Sequence, residues 1–228
     1  MGTIKKVYIL HGWTYSLEKW EKFNDILKKN DIVPVFLKIP GLTEKSDQVW
    51  DINKYVDWLN KKIKGPVVLL GHSNGGRLAI SFAYKYPNKV EKLILIDSAG
   101  IYHKNFAITL KRFLFGTISK IGRRITNSES LKRLLYKLAR EQDYQSATPN
   151  MRKSMINLIS VDLTSVLPKI STPTVIIWGD QDKITPIQDA TTMNRLIKKS
   201  KLIFINGARH SPFYTHPEEV FNVIKNDI

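Results

Sequence analysis

The chain has 228 residues, of which 43% are hydrophobic, and its 36 Lys and Arg against 20 Asp and Glu give a formal net charge of +16. This length and composition predict one domain, or one domain with an insertion, with enough apolar side chains for a large core. No apolar run is long enough for a transmembrane helix, and the first residues carry no signal-peptide pattern, so we expect a cytoplasmic protein.

Apolar runs and helical periodicities alternate along the chain. Short apolar runs predict strands near residues 5–10, 33–39, 66–71, 92–97, 173–178 and 201–205. Apolar residues at helical spacing predict helices near residues 17–29, 47–63, 75–86, 187–198 and 217–226. This alternation is typical of an α/β fold, in which a mainly parallel sheet of about six strands has helices on both faces.

The first predicted strand ends in a His-Gly-Trp loop. Gly12 lets the chain turn close to the neighbouring strand ends, so the backbone N–H of Trp13 is a candidate hydrogen-bond donor to an oxyanion. We expect His11 to stabilise this loop rather than to take part in chemistry.

The third predicted strand runs directly into Ser73, which lies between glycines. A serine on such a tight strand-to-helix turn needs small residues two positions before and two positions after it, and Gly71 and Gly75 meet this need. The turn places the hydroxyl at the N-terminus of the next helix. There the backbone N–H of Asn74 is a second candidate oxyanion donor.

The last two predicted strands end in candidate partners for this serine. A serine hydroxyl is a poor nucleophile at neutral pH, so it needs a neighbouring base, which a carboxylate in turn orients. His210 follows the last strand, and both Asp180 and Asp182 follow the strand before it. Asp97, at the end of the fourth strand, is a further candidate acid. The chain order is therefore Ser, Asp, His, with each residue after its own strand.

Metal and cofactor chemistry has no support in the sequence. The chain contains no cysteine, and its five histidines show no His-Glu-x-x-His or similar spacing, so we predict no metal site and no cofactor. We expect His72, His103 and His216 to be structural or surface residues.

Residues 101–165 lack strand patterns and predict helices, with Leu131, Leu134, Leu135 and Leu138 at helical spacing. This segment contains 12 Lys and Arg against four Asp and Glu, which is half of the net charge. The excess is either a solvated basic surface or a surface that attracts carboxylated or phosphorylated esters, an acidic carrier protein or a membrane surface. No nucleic-acid recognition motif is present, so we expect no nucleic-acid partner, and the sequence does not predict an oligomeric state.

Together these motifs resemble those of the α/β-hydrolase superfamily, from Val7 almost to the C-terminus. The motifs that carry the resemblance are Leu10-His11-Gly12-Trp13, Gly71-His72-Ser73-Asn74-Gly75-Gly76, Trp178-Gly179-Asp180-Gln181-Asp182 and Gly207-Ala208-Arg209-His210-Ser211-Pro212. The resemblance implies that the six strands correspond to family strands 3–8 and that Asp182 is the acid. It also implies a hydrolase core formed by residues 1–100 and 166–228, with residues 101–165 as a helical cap.

The function that this resemblance implies is a serine hydrolase acting on a carboxylic ester through an acyl-enzyme. The alternatives within the same chemistry are a thioesterase, a carbon–carbon bond hydrolase and a carrier-protein ester esterase with an anionic substrate. A ligand receptor or a weakly active scaffold of the same fold is the alternative from another class. The His-Gly-Trp loop and His210-Ser211-Pro212-Phe213 are also similar to motifs of the pimeloyl-carrier-protein methyl ester esterases, which implies an acidic carrier protein as a partner.

Overall fold

The computed structural model describes residues 5–103 and 147–228 of the chain. The strands are β1 (Lys5–Leu10), β2 (Ile32–Phe36), β3 (Val67–His72), β4 (Val90–Ile96), β5 (Thr174–Gly179) and β6 (Ser200–Ile205). The helices are α1 (Glu21–Lys29), α2 (Ile52–Lys62), α3 (Asn74–Lys85), α4 (Pro149–Ile159), α5 (Ile187–Leu196), α6 (Pro212–Thr215) and α7 (Pro217–Ile224). None of the helices within these two ranges is long and apolar enough to cross a membrane.

The six strands form one parallel sheet in the order β2-β1-β3-β4-β5-β6. Successive side chains of a strand point to opposite faces, and both faces are apolar here. In β4, Leu93 and Leu95 pack with residues of α2, α3 and α5, whereas Ile94 and Ile96 pack with residues of α1, α6 and α7. The predicted α/β fold, a six-stranded parallel sheet with helices on both faces, is confirmed.

The observed elements differ from the prediction mainly at their ends. The helix predicted from residue 47 begins at Ile52, because the Asp51 carboxylate accepts a hydrogen bond from the Lys54 N–H at 2.9 Å and caps the helix there. β2 ends at Phe36 rather than at residue 39, just before the chain turns at Pro40. The short helix α6 was not predicted, since its four residues are too few to show a periodicity.

Most of the predicted cap, residues 104–146 with the four leucines at helical spacing, lies outside the described residues. The part that follows is α4, which begins where the Thr148 hydroxyl accepts a hydrogen bond from the Met151 N–H at 3.2 Å. The buried guanidinium of Arg77 in α3 donates to the carbonyls of Leu158 and Val161 at the other end of α4. This contact ties α4 to the helix that follows Ser73.

The strand order places a crevice at one end of the sheet. From β1 the chain crosses to β2 on one side, and from β3 it continues to β4 on the other side, so the direction of winding reverses between β1 and β3. In open α/β sheets, ligands bind outside the carboxyl ends of the strands at such a switch point. The loops after β1 and β3, which contain His11 and Ser73, meet at this place.

Candidate active site

Ser73 lies on a strained turn between β3 and α3. Its backbone has φ 52° and ψ −121°, a left-handed conformation that is uncommon for residues other than glycine. A Cβ atom added to Gly71 would lie 2.7 Å from the Gly75 carbonyl oxygen and the Gly76 Cα, and one added to Gly75 would overlap the Leu10 carbonyl. The small residues that the sequence analysis required on both sides of the serine therefore have a steric cause.

Three predicted residues from three different loops form one hydrogen-bonded chain, here named the Ser73–His210–Asp182 relay. The His210 Nε2 lies 3.0 Å from the Ser73 Oγ, and the Nδ1 lies 2.8 Å from the Asp182 Oδ2. Because a carboxylate accepts, Nδ1 carries the proton in the neutral ring and Nε2 is free to accept from the serine hydroxyl. This is the geometry that a serine nucleophile and its base need.

Asp182 is buried but remains the charged member of the relay. Its Oδ1 accepts from the N–H groups of Ile184 at 2.7 Å and Thr185 at 3.3 Å, and its Oδ2 also accepts from the Thr185 hydroxyl at 2.6 Å. Burial by itself raises the pKa of Asp182, but the charge and hydrogen bond of His210, with these further bonds, hold the pKa below its ordinary value. Thr185 was not predicted as a site residue, although a Thr three residues after an Asp could have indicated this contact.

Neither of the two alternative acids is hydrogen-bonded to His210. Asp180 belongs to the turn after β5, where its N–H donates to the Ile205 carbonyl at 3.2 Å. Asp97 is fully buried at the end of β4 and accepts from the Gly179 N–H at 2.9 Å. Burial, and next the nearby negative charge of Asp182, raise the pKa of Asp97 well above its ordinary value. The carboxylate that bonds His210 is that of Asp182.

The loop after β1 runs beside the serine. His11 is fully buried, donates from Nδ1 to the Gly12 carbonyl at 2.8 Å and accepts at Nε2 from the Thr43 hydroxyl at 2.8 Å. Burial lowers the pKa of His11 to about 4, so the ring is neutral at pH 7. A Cβ atom added to Gly12 would lie 3.1 Å from the Cβ of Ser73. The contacts of His11 are those of a residue that holds the loop in place.

The backbone N–H groups of Trp13 and Asn74 are candidate donors to an oxyanion. Neither donates a hydrogen bond to an acceptor within residues 5–103 and 147–228. Asn74 is the first residue of α3, where N–H groups have no acceptor within the helix and the helix dipole favours negative charge. Both groups thus lie beside the turn of Ser73, and within the described residues they have no acceptor.

His72 joins the turn of the serine to the loop of the histidine. Its Nε2 donates to the His210 carbonyl at 2.7 Å, and its ring meets Phe213 edge-on with the ring centroids 4.8 Å apart. Trp20 stacks on Phe213 at 3.6 Å and closes the cluster from α1. Burial, and next the charge of His210, lower the pKa of His72 to about 3. His72 is therefore a neutral structural residue, as expected.

Replacing His72 with glutamine should reduce the loss of stability in acid. An unfolded chain protonates this histidine below about pH 6.5, whereas the folded protein keeps it neutral to about pH 3. The contribution of His72 to the free energy of unfolding is therefore lost as the pH falls. Between pH 7 and pH 5 this contribution amounts to about 2 kcal/mol. Urea denaturation of the wild-type protein and of His72→Gln at pH 7 and pH 5 measures this contribution. Glutamine still offers an N–H to the His210 carbonyl, and the contributions of all other titratable groups cancel in the comparison. Equal losses in both proteins would show that His72 titrates normally.

One group of side chains has the composition of a metal site. Atoms of His72, Asp97 and His210 that could ligate an ion lie within 4.8 Å of one another. However, His72 already donates from Nε2 to the His210 carbonyl, and both ring nitrogens of His210 belong to the relay. This donor set therefore fits hydrogen bonding better than it fits the binding of a cation.

The other two histidines lie outside the relay. His103, at the end of the first described range, contacts both carboxylate oxygens of Asp189 in α5 at 2.9 Å. His216 bonds the hydroxyl of its neighbour Thr215 at 2.8 Å. Neither residue contacts Ser73 or Asp182.

Comparison with known proteins agrees with the fold. The family model described as the alpha/beta hydrolase fold matches residues 5–217. The biotin biosynthesis bifunctional protein BioHC of Teredinibacter turnerae is 26% identical over 95% of this chain, which spans only 43% of that protein. The pimeloyl-[acyl-carrier protein] methyl ester esterase of Neisseria meningitidis serogroup C is 27% identical over 94% of this chain and 90% of its own length.

Solved structures have the same architecture. An esterase from Exiguobacterium antarcticum superposes with a TM-score of 0.77 at 21% identity, over all of this chain and 92% of that one. Its similarity supports the fold, and the family model covers most of the sequence. The chain therefore belongs to the α/β hydrolase fold family and is a hydrolase of this fold.

Proposed function

We propose that the protein hydrolyses carboxylic esters through an acyl-enzyme on Ser73. The observation that carries this proposal is the relay itself, in which His210 is 3.0 Å from the serine hydroxyl and 2.8 Å from Asp182. A serine bonded to an imidazole that a carboxylate orients is suited to nucleophilic attack on a carbonyl carbon. The strained, glycine-flanked turn places Ser73 at the carboxyl ends of β1 and β3, where the winding of the sheet reverses.

In the first half of the reaction, Ser73 Oγ bonds to the carbonyl carbon of the ester while its proton passes to His210 Nε2. The N–H groups of Trp13 and Asn74 donate to the oxyanion of the tetrahedral intermediate, where one preorganised donor contributes about 2.7–4 kcal/mol. Asp182 keeps its negative charge and stabilises the imidazolium. His210 then gives the proton to the leaving alcohol oxygen as the carbon–oxygen bond breaks, and the acyl group remains on Ser73.

In the second half, water takes the place of the alcohol. His210 accepts a proton from the water as its oxygen bonds to the acyl carbon, and the same N–H groups receive the second oxyanion. The bond to Ser73 Oγ breaks, the serine recovers its proton from His210, and the carboxylic acid leaves.

In this scheme residues 1–100 and 166–228 form the core, and residues 101–165 form the cap that shapes the acyl pocket. The cytoplasmic location expected from the sequence stays a prediction.

A fluorophosphonate probe and a series of p-nitrophenyl esters with two to twelve acyl carbons test this proposal. We expect covalent labelling of Ser73 in the folded protein, turnover of the esters, and the loss of both in Ser73→Ala. The chain length with the highest kcat/KM measures the acyl pocket. Absence of labelling in a folded protein contradicts the proposal. Labelling with tight ester binding but negligible turnover supports the ligand receptor instead.

A methyl ester carried by an acidic carrier protein is the second candidate substrate. Two observations favour it: the activity named for the Neisseria meningitidis relative, and the net charge of +16. Lys38, Lys183 and Arg209 follow β2, β5 and β6 and are exposed, so they add positive charge at the carboxyl end of the sheet, where the relay lies. Opposite charges accelerate the encounter of enzyme and carrier at low salt.

The comparison that decides this candidate uses the same methyl ester free and attached to an acidic carrier protein. If the carrier is the substrate, kcat/KM for the attached ester should exceed that for the free ester and should fall steeply with ionic strength. Equal values for the two forms, without salt dependence, would leave the small-molecule esterase as the better assignment.

A further inference from the structure

A second buried carboxyl group, that of Asp97, lies beside the relay and has no part in the proposed mechanism. The residue directly follows β4, has no solvent exposure and has φ 43°, a conformation that is strained for a residue other than glycine. Its Oδ1 accepts from the Gly179 N–H at 2.9 Å, but its Oδ2 has no hydrogen-bond partner within the described part of the chain. Buried polar atoms without a partner are rare in folded proteins, because leaving one unpaired costs free energy.

The unpartnered oxygen belongs to a side chain that lies close to the imidazole of the relay. A carboxylate oxygen of Asp97 and a ring nitrogen of His210 are within 4.8 Å of each other. The Thr185 hydroxyl lies against both residues, since it donates to Asp182 Oδ2 at 2.6 Å and lies 3.3 Å from the Asp97 backbone carbonyl oxygen and 3.3 Å from His210 Nδ1. Two acids, one after β4 and one after β5, therefore approach the same histidine.

Only one of these two carboxyl groups is equipped to hold a negative charge. The Asp182 carboxylate accepts four hydrogen bonds, whereas the Asp97 carboxyl group accepts one, from the Gly179 N–H. Burial and the charge of Asp182 raise the pKa of Asp97 well above its ordinary value, and two neighbouring carboxylates in a desolvated site do not both ionise. The other titratable groups facing Asp97 are His210, which is paired with Asp182, and the neutral His72.

We propose that Asp97 is a reserve positioning residue, which stays a neutral carboxylic acid while Asp182 is present and becomes the carboxylate partner of His210 when Asp182 is removed. This inference rests on the proposed function, because it assigns Asp97 to the same relay. Removal of the Asp182 side chain deletes the negative charge that helps to keep Asp97 protonated. It also opens the space between Asp97 and His210, so the free Oδ2 can turn toward Nδ1.

Whether Asp97 can approach His210 in a variant of Asp182 therefore depends on the size of the side chain at position 182. In Asp182→Ala the space is open and Asp97 can ionise and approach the ring. In Asp182→Asn an amide fills the same space and keeps Asp97 away from His210. The smaller and less conservative substitution should thus retain more activity, and this excess should disappear when Asp97 is replaced as well.

The experiment measures kcat on the best p-nitrophenyl ester for Asp97→Asn, Asp182→Asn, Asp182→Ala and the double variant Asp182→Ala with Asp97→Asn. We expect Asp182→Ala to be at least about tenfold more active than Asp182→Asn, and the double variant to fall to the level of Asp182→Asn. Asp97→Asn alone should lose less than about tenfold, because the amide oxygen still accepts from the Gly179 N–H. Equal activity of Asp182→Ala and the double variant would overturn the reserve role.

A second measurement does not depend on activity. The infrared spectrum of the wild-type protein at pH 7 should contain the carbonyl stretch of a protonated carboxylic acid, and this band should disappear in Asp97→Asn. If the band is absent, Asp97 is ionised and the inference is wrong. If the wild-type protein hydrolyses no ester but the band is present, the proposed function fails while the assignment of a neutral Asp97 stands.

Discussion

Ser73→Ala should lower kcat for ester hydrolysis by about 10⁴–10⁶-fold. The substitution removes the only atom that forms the covalent bond to the acyl group in the proposed mechanism, and His210 loses the hydroxyl 3.0 Å from its Nε2. The oxyanion donors remain, so a residual acceleration over the reaction in water should persist. The change should leave the fold intact, because alanine has nearly the same volume and the left-handed backbone at this position is strained for both residues.

The matched control for this prediction is Ser81→Ala. Ser81 lies in α3, the helix that follows Ser73. Its exposure is 8%, as for Ser73, and its hydroxyl donates to the Arg77 carbonyl at 2.9 Å without contacting the relay. Its replacement should change kcat by only a few-fold and should leave fluorophosphonate labelling intact. Retention of more than about 1% of the wild-type kcat by Ser73→Ala would point to a different nucleophile.

Much of the site could be predicted because its parts are local patterns. The apolar run before Ser73 and the glycines around it indicate a buried strand and a tight turn, and both depend only on neighbours in the sequence. The order of three strand ends predicted that Ser73, His210 and an acid would meet, since parallel strands in one sheet bring their carboxyl ends to the same edge. The choice of Asp182 among the candidate acids came from the resemblance to the α/β-hydrolase superfamily.

The contacts that depend on distant parts of the chain could not be predicted in this way. The bond from His72 to the His210 carbonyl joins residues 138 positions apart, and the contact of Arg77 with Leu158 joins residues 81 positions apart. Nothing in the local pattern of either residue indicates its partner. The neutral state of Asp97 likewise follows only from its complete burial beside Asp182, which becomes visible once β4 and β5 are paired.

Asp182→Asn should lower kcat by about 10⁴-fold while Asp180→Asn has an effect below about fivefold. Asparagine keeps the shape of the side chain but removes the negative charge that stabilises the imidazolium. Its amide can also donate to His210 Nδ1, which moves the ring proton to Nε2, and Nε2 can then no longer accept from Ser73. KM should change much less than kcat, because Asp182 is buried behind the histidine and does not face the crevice.

Asp180→Asn is the matched control for that substitution, since it makes the same chemical change two residues away in the same turn. The backbone N–H of Asp180 holds the turn to the Ile205 carbonyl at 3.2 Å, and this bond does not involve the side chain. His210 bonds Asp182 at 2.8 Å, so the loss of charge at position 180 leaves the ring tautomer and the relay unchanged. Kinetics of both variants at pH 7, with circular dichroism to establish folding, decide between the two acids. A larger loss in Asp180→Asn would assign the acid to Asp180 and would require the turn after β5 to rearrange during catalysis.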